Sequence, residues 1–148
     1  MTAGIFGEMK YNSNTYVAKL LFPKLTTIPD GSFWDKYGID GYLGKYSVQI
    51  KHDTRIATSG NLWHEVYEKS ANNPKQLWRK SPGVADTYIF TTETTTEYIG
   101  YFISVNTLAI AENNKKLISI KPNEGEITSM GFLIPINDLK IKPVILKK

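Results

Sequence analysis

Apolar and polar residues alternate along this chain in short runs, and the period of each run predicts an element. Tyr16-Val17-Ala18-Lys19-Leu20-Leu21-Phe22 has helical spacing; it opens at Ser13 or Asn14 as a cap and must stop near Pro23. Pro29-Asp30-Gly31 marks a turn inside the stretch from Lys24 to Ser32. A hairpin follows, with Tyr37–Leu43 as one strand, Gly44-Lys45 as the turn and Tyr46–Asp53 as the partner. Within the second strand Tyr46, Val48 and Ile50 share one face, and Ser47, Gln49 and Lys51 the other. Thr58-Ser59-Gly60-Asn61 reads as a loop that caps a helix over Leu62–Lys69, with Leu62 and Val66, and beside them Trp63 and Tyr67, turned to the core.

Asn72–Gly83 is polar, contains two prolines and predicts a loop. Asp86–Thr92 and Glu97–Val105, rich in Tyr, Ile, Phe and Thr, predict two further strands. Asn106 caps a short helix to Glu112; Lys116–Ile120 and Gly131–Ile134 read as strands, and Ile136–Leu139 as a helical turn. The order of elements predicts an α/β (α+β) domain, a mixed β-sheet flanked by helices.

No repeat or linker divides the 148 residues, a length typical of one domain. A hydrophobic share of 41% against 22% charged residues excludes a disordered chain. Cysteine is absent, which removes disulfides, thiolate zinc sites and cysteine nucleophiles together. Glu8 and Asn12 interrupt any leader-like segment, and no apolar run reaches membrane-spanning length. The expectation is a cytoplasmic protein with no membrane partner. The net charge of +4 is compatible with a polyanion partner, although many soluble domains carry as much.

Candidate chemistry gathers on the hairpin. Phosphodiester hydrolysis uses a divalent cation held by oxygen ligands, and a cationic group near the phosphate. An Asp near the end of one strand, with an acid or amide two residues before a Lys on the next, meets this need. Asp40, Gln49 and Lys51 have that arrangement, and the main-chain carbonyl of Ile50 offers a further ligand. These residues predict a site for Mg²⁺ (or Mn²⁺) held by Asp40, Gln49 and Ile50.

Gly38-Ile39-Asp40-Gly41 followed by Val48-Gln49-Ile50-Lys51 resembles the core of the PD-(D/E)xK nuclease superfamily, which includes type II restriction enzymes and archaeal Holliday-junction resolvases. The family's core runs helix, three strands, helix, strand, and the order predicted here matches it from about residue 15 to residue 105. The segment from about 106 to 148 lies outside the resemblance and has no assigned role. The resemblance implies a restriction-endonuclease-like core, with Asp40 as the metal-binding Asp and Lys51 as the catalytic Lys. It also implies a metal-dependent endonuclease acting on DNA, and a homodimer, since two cuts on a duplex need two sites. Gln49 stands where the family usually has Asp or Glu, and Ile39 where a Pro often precedes the Asp; members with Gln at the former place are known.

Other residues are weighed beside this core. Glu65 on the predicted second helix, or Glu8 near the first, would add a carboxylate; a solvated surface acid is the plainer reading of Glu65. Lys45, Arg55, Lys69, Arg79 and Lys80 are expected to contact the nucleic-acid backbone, with Trp78 available to stack on a base. An ordinary solvated loop around a buried Trp explains the last of these equally well. His52 points away from Lys51, His64-Glu65 lacks the second His of a zinc-protease helix, and neither Ser47 nor Ser59 sits in a nucleophile elbow. Two rivals stand beside the nuclease reading: a nuclease-fold nucleic-acid-binding module with weak or lost catalysis, and a viral or mobile-element protein-interaction domain.

Overall fold

The computed structural model describes residues 15–29, 31–70, 79–80, 83–120 and 127–148, apart from the side chains of residues 70, 79, 80, 120, 127 and 128. Helix α1 (Thr15–Leu21) ends before Pro23 as its sequence demands. Then come β1 (Thr26–Thr27), a 3₁₀ turn over Asp35–Tyr37, and the hairpin strands β2 (Gly41–Leu43) and β3 (Tyr46–His52). Helix α2 (Arg55–Ser59) and strands β4 (Asn61–Ser70) and β5 (Arg79–Lys80) follow. Strands β6 (Thr87–Glu93) and β7 (Glu97–Ser104) lead into α3 (Val105–Glu112). Strands β8 (Ile118–Ile120) and β9 (Ile127–Pro135), helix α4 (Ile136–Leu139) and β10 (Val144–Lys147) complete the described chain.

The fold is mixed α/β. One sheet has the order β1-β2-β3-β6-β7-β10, and a second has β5-β4-β9-β8. In the first sheet β3 and β6 run parallel and every other pair is antiparallel. A parallel pair needs a long crossover; here it carries α2, β4 and β5.

Strand β6 lies centrally and is buried on both faces, so Thr87, Thr91 and Thr92 sit inside along with Tyr88, Ile89 and Phe90. Ile89 joins Val48 and Ile50 against Ala18 and Leu25, on the face that α1 covers. Tyr88 and Phe90 join Tyr101 and Ile103 against Leu62, Ile134 and Leu108, so the second sheet and α3 close the opposite face. No helix among the described residues is long and apolar enough to cross a membrane.

Several predicted elements are corrected. Leu62–Lys69 is not a helix but lies within β4, paired with β9 from Asn61↔Pro135 to Ser70↔Ile127. Its partner lies far along the chain, and a register shift between Glu65 and Tyr67 interrupts the alternation that would mark a strand. The helix lies just before it, at Arg55–Ser59, and Gly60 terminates it with φ +72° while donating its N–H to the Ile56 carbonyl. Gly60 is thus a helix stop, where the sequence suggested a start.

The first hairpin strand is shorter than Tyr37–Leu43, because residues 35–37 coil into the 3₁₀ turn. Ser104, not Asn106, caps α3 by accepting the Thr107 N–H. The predicted loop Asn72–Gly83 contains β5, and the C-terminal residues form β10 against β7, with Lys148 Nζ 3.1 Å from the Glu93 carboxylate.

Candidate functional site at the start of the first hairpin

Asp40 precedes β2 and is held against β3 twice. Its N–H donates to the Val48 carbonyl at 2.8 Å, and its Oδ2 accepts the Ile50 N–H at 2.7 Å. The N–H and C=O of a strand residue point to the same neighbour, so the Ile50 carbonyl faces the side of β3 that Asp40 occupies. Gln49, between these two anchors, has its amide oxygen buried without a hydrogen-bond partner. Alternation puts Lys51 on the Gln49 face of β3, where the register aligns Gln49 with Tyr88 and Lys51 with Phe90.

The electrostatics tie these groups together. Asp40 has its pKa raised, first by burial; the Ile50 N–H opposes this, the neighbouring Asp35 carboxylate adds to it, and the Lys51 charge opposes it. Asp35 is a residue that the sequence reading missed. It sits in the 3₁₀ turn and accepts the Gly31 N–H at 2.7 Å. The only signal for it was an acid five residues before Asp40. A carboxylate, an amide oxygen and a main-chain carbonyl are the hard-oxygen donor types that Mg²⁺ or Mn²⁺ takes, and here they lie on neighbouring residues of one hairpin.

The apolar core on this face draws on β6 and β7 and takes no residue from β2 or β3. Beside Lys51 a cavity of about 180 Å³ is lined by His52, Asp53, Arg55, Trp63 and Phe90. Arg55 Nε donates to Asp53 Oδ1 at 2.9 Å, and the Arg55 side chain is otherwise exposed. Trp63 was read only as a helix core residue; the bulged strand brings its ring to this cavity instead.

The other predicted residues are more scattered. Lys45 lies in the hairpin turn, six residues along β3 from Lys51 and so about 20 Å away, with its ammonium 5.4 Å from the Tyr46 ring centroid. Glu65 lies on β4, where Ser129 donates a hydrogen bond to it. Among the described residues no three His, Cys, Asp or Glu side chains converge as a metal cluster. Lys69 lies toward the far end of β4, and Arg79 and Lys80 pair as β5 with Glu68 and Tyr67. Glu8 and Trp78 lie outside the described residues. His52 engages Thr91, at 2.8 Å from Nδ1 to the hydroxyl.

A second polar group lies under the same face. His64 Nδ1 bonds the Glu112 carboxylate, and Nε2 lies 3.3 Å from the Tyr88 hydroxyl. Burial, then Glu112 and Glu65, push the Tyr88 pKa up. This chain of contacts ties β4, α3 and β6 together beside Gln49. Compared with family models, curated proteins and solved structures, the chain finds no match.

Proposed function

We propose that this chain is a metal-dependent nuclease with a restriction-endonuclease-like core, hydrolysing phosphodiester bonds in DNA. The observation that carries the reading is the buried, unpartnered Gln49 amide oxygen set between the two β3 residues that anchor Asp40, with Lys51 on its face. The order of elements supports it in part: a helix, three antiparallel strands β1–β3, and β6 parallel to β3 after a crossover that carries the short α2 together with β4 and β5.

Asp40, Gln49 and the Ile50 carbonyl would hold Mg²⁺ or Mn²⁺. When bound, such a cation polarises the phosphate and acidifies an attacking water. Lys51 offsets negative charge developing on the phosphate oxygens, and Arg55 across the cavity holds a neighbouring phosphate. Asp40 must be ionised to act as a ligand, so its raised pKa moves the acid limit of activity upward.

The decisive experiment is Mg²⁺-dependent cleavage of plasmid, branched and single-stranded DNA by wild type, Asp40→Ala and Lys51→Ala. Wild type should cut, and each variant should lose about a hundredfold or more. Equal activity in all three proteins, or none in wild type with either metal, overturns the reading.

A second reading rests on the neutrality of Gln49, which brings no charge to a cation. The chain is then a nuclease-fold module that binds DNA in a salt-dependent way without cutting it. Gln49→Glu separates the two readings: calorimetry should show Mn²⁺ binding at least about tenfold tighter, since a second charge joins the ligand set. Cutting gained only in that variant favours the binding module. A homodimer, with one such site per protomer, fits either reading, and sedimentation decides it.

A further inference from the structure

Phe33, Trp34 and Tyr37 are 62%, 50% and 45% exposed, yet they pack on one another. The Phe33 ring lies 5.0 Å from Trp34 at 82° and 5.2 Å from Tyr37 at 58°, and Trp34 and Tyr37 are 6.4 Å apart. Single exposed aromatics are ordinary, whereas a contiguous patch of three large rings marks an interaction site.

The patch stands on a well-fixed turn. The Trp34 carbonyl accepts the N–H groups of both Tyr37 and Ile39 at 3.1 Å, and the Asp35 carbonyl accepts the Gly38 N–H at 3.0 Å. The Asp35 carboxylate closes the loop on the Gly31 N–H, and the Tyr37 carbonyl accepts the Val84 N–H at 3.1 Å. Ile39, 5% exposed, then plugs into the fold, and the next residue is Asp40. The rings and the Asp35–Asp40 carboxylates therefore share one hydrogen-bonded piece of backbone. The rings pack on one another with no ligand bound, which lowers the entropic cost of using them.

We propose that this patch is a stacking platform for unpaired bases, so that the substrate carries a single-stranded tail or flap beside the scissile phosphate. The choice of nucleic acid as occupant rests on the phosphodiester reading of the neighbouring Asp40 site. Three features select bases. The patch is aromatic rather than aliphatic, and every base offers a π-face to such rings. Exposed Lys36, beside the Asp35 carboxylate, offers the turn one cation for a phosphate, and the chain as a whole carries a net +4, the sign that draws a polyanion. Five residue steps separate Asp35 from Asp40, at most about 18 Å of chain, so a strand held at Asp40 passes the rings within a few nucleotides. A blunt duplex keeps its base faces stacked inside and gains nothing from the platform.

The test is fluorescence anisotropy in EDTA, which halts metal-dependent cutting. Its probes are a labelled single strand, the same sequence as blunt duplex, and that duplex with a single-stranded tail. Phe33→Ala and Trp34→Ala should each weaken binding of the single strand and the tailed duplex roughly fivefold to a hundredfold, the range of one lost base stack. Blunt-duplex binding should stay near the wild-type value, and Trp34→Tyr should restore most of the single-strand affinity. Thermal melts accompany each variant; if Trp34→Ala does not fold, the more exposed Phe33 and the conservative Trp34→Tyr decide the matter.

Equal losses on all three probes, no loss on any, or wild type binding the blunt duplex as tightly as the single strand overturns the proposal. Unchanged DNA binding with lost self-association in sedimentation would assign the patch to a second copy of the chain and overturn it too. Mg²⁺-dependent cleavage without ring-dependent preference leaves the nuclease reading standing and removes this one. Ring-dependent single-strand binding without cleavage does the reverse.

Discussion

Asp40 shows how one residue sets stability against function. Burial holds its carboxyl above the ordinary value of 3.8, and the Ile50 N–H and the Lys51 charge do not fully offset this. Below the unfolded value both states are protonated. As pH rises from there through the higher folded value, the unfolded chain releases the proton first, and stability falls; above that window the full cost remains. Asp40→Asn removes the charge yet keeps a carbonyl oxygen for the Ile50 N–H. The variant should therefore melt higher than wild type near neutral pH, and the advantage should vanish as pH approaches about 3.8. A gain that is the same at every pH would mean that burial of the charge is not its source. Mn²⁺ near neutral pH should raise the melting temperature of wild type and leave Asp40→Asn nearly unmoved, because only the wild type offers the cation a charged ligand.

At the scale of elements, β1 and β2 decide where Asp40 stands. A Cβ on Gly41 would meet the Thr26 carbonyl oxygen at 2.3 Å, a backbone atom that cannot swing aside. Gly41→Ala should push β1 off the sheet edge, lower stability by about 1–3 kcal/mol and disturb the residue before it. Urea unfolding measures this, and a midpoint equal to that of wild type would show that β1 does not hold the hairpin.

The same scale explains what the sequence disclosed. Tyr46–Asp53 was legible because Val48 and Ile50 alternate with Gln49 and Lys51, and this alternation also placed the two site residues on one face. Strands β6 and β7 were legible from their Tyr, Ile, Phe and Thr content. Strand β4 was not, because Leu62 and Val66 also fit a helix, the bulge breaks the period, and the pairing that fixes it comes from residues 127–135. Asp35 escaped notice because its relation to Asp40 depends on a 3₁₀ turn whose last residue, Tyr37, read as the start of a strand. The exposed aromatic patch escaped for the same reason: composition counts rings, and only the turn shows which of them face outward.

Across the whole molecule, β6 is the shared wall. Ile89 faces the α1 side, while Tyr88 and Phe90 face the second sheet, and all three are buried. Loosening either layer therefore removes support from the strand that the other layer packs on. The proposed site depends on this coupling, since β3 borrows its register from β6, with Gln49 beside Tyr88 and Lys51 beside Phe90. The two layers should accordingly melt together. Val48→Ala on one side and Leu62→Ala on the other, both at 0% exposure, should each lower the same single calorimetric transition. Leu62→Ala should cost about 2–5 kcal/mol, a fall of roughly 5–20 °C for a chain of this size; Val48→Ala, which removes fewer atoms, should cost less. Circular dichroism and tryptophan fluorescence should report coincident midpoints in both variants. A second transition in Leu62→Ala, with the hairpin sheet still folded, would mean that the β4–β9 layer is an independent unit and that Lys51 keeps its place without it. The cavity between Lys51 and Trp63 would then be open to rearrangement, and the phosphate contact proposed for Arg55 would lose a fixed wall opposite it.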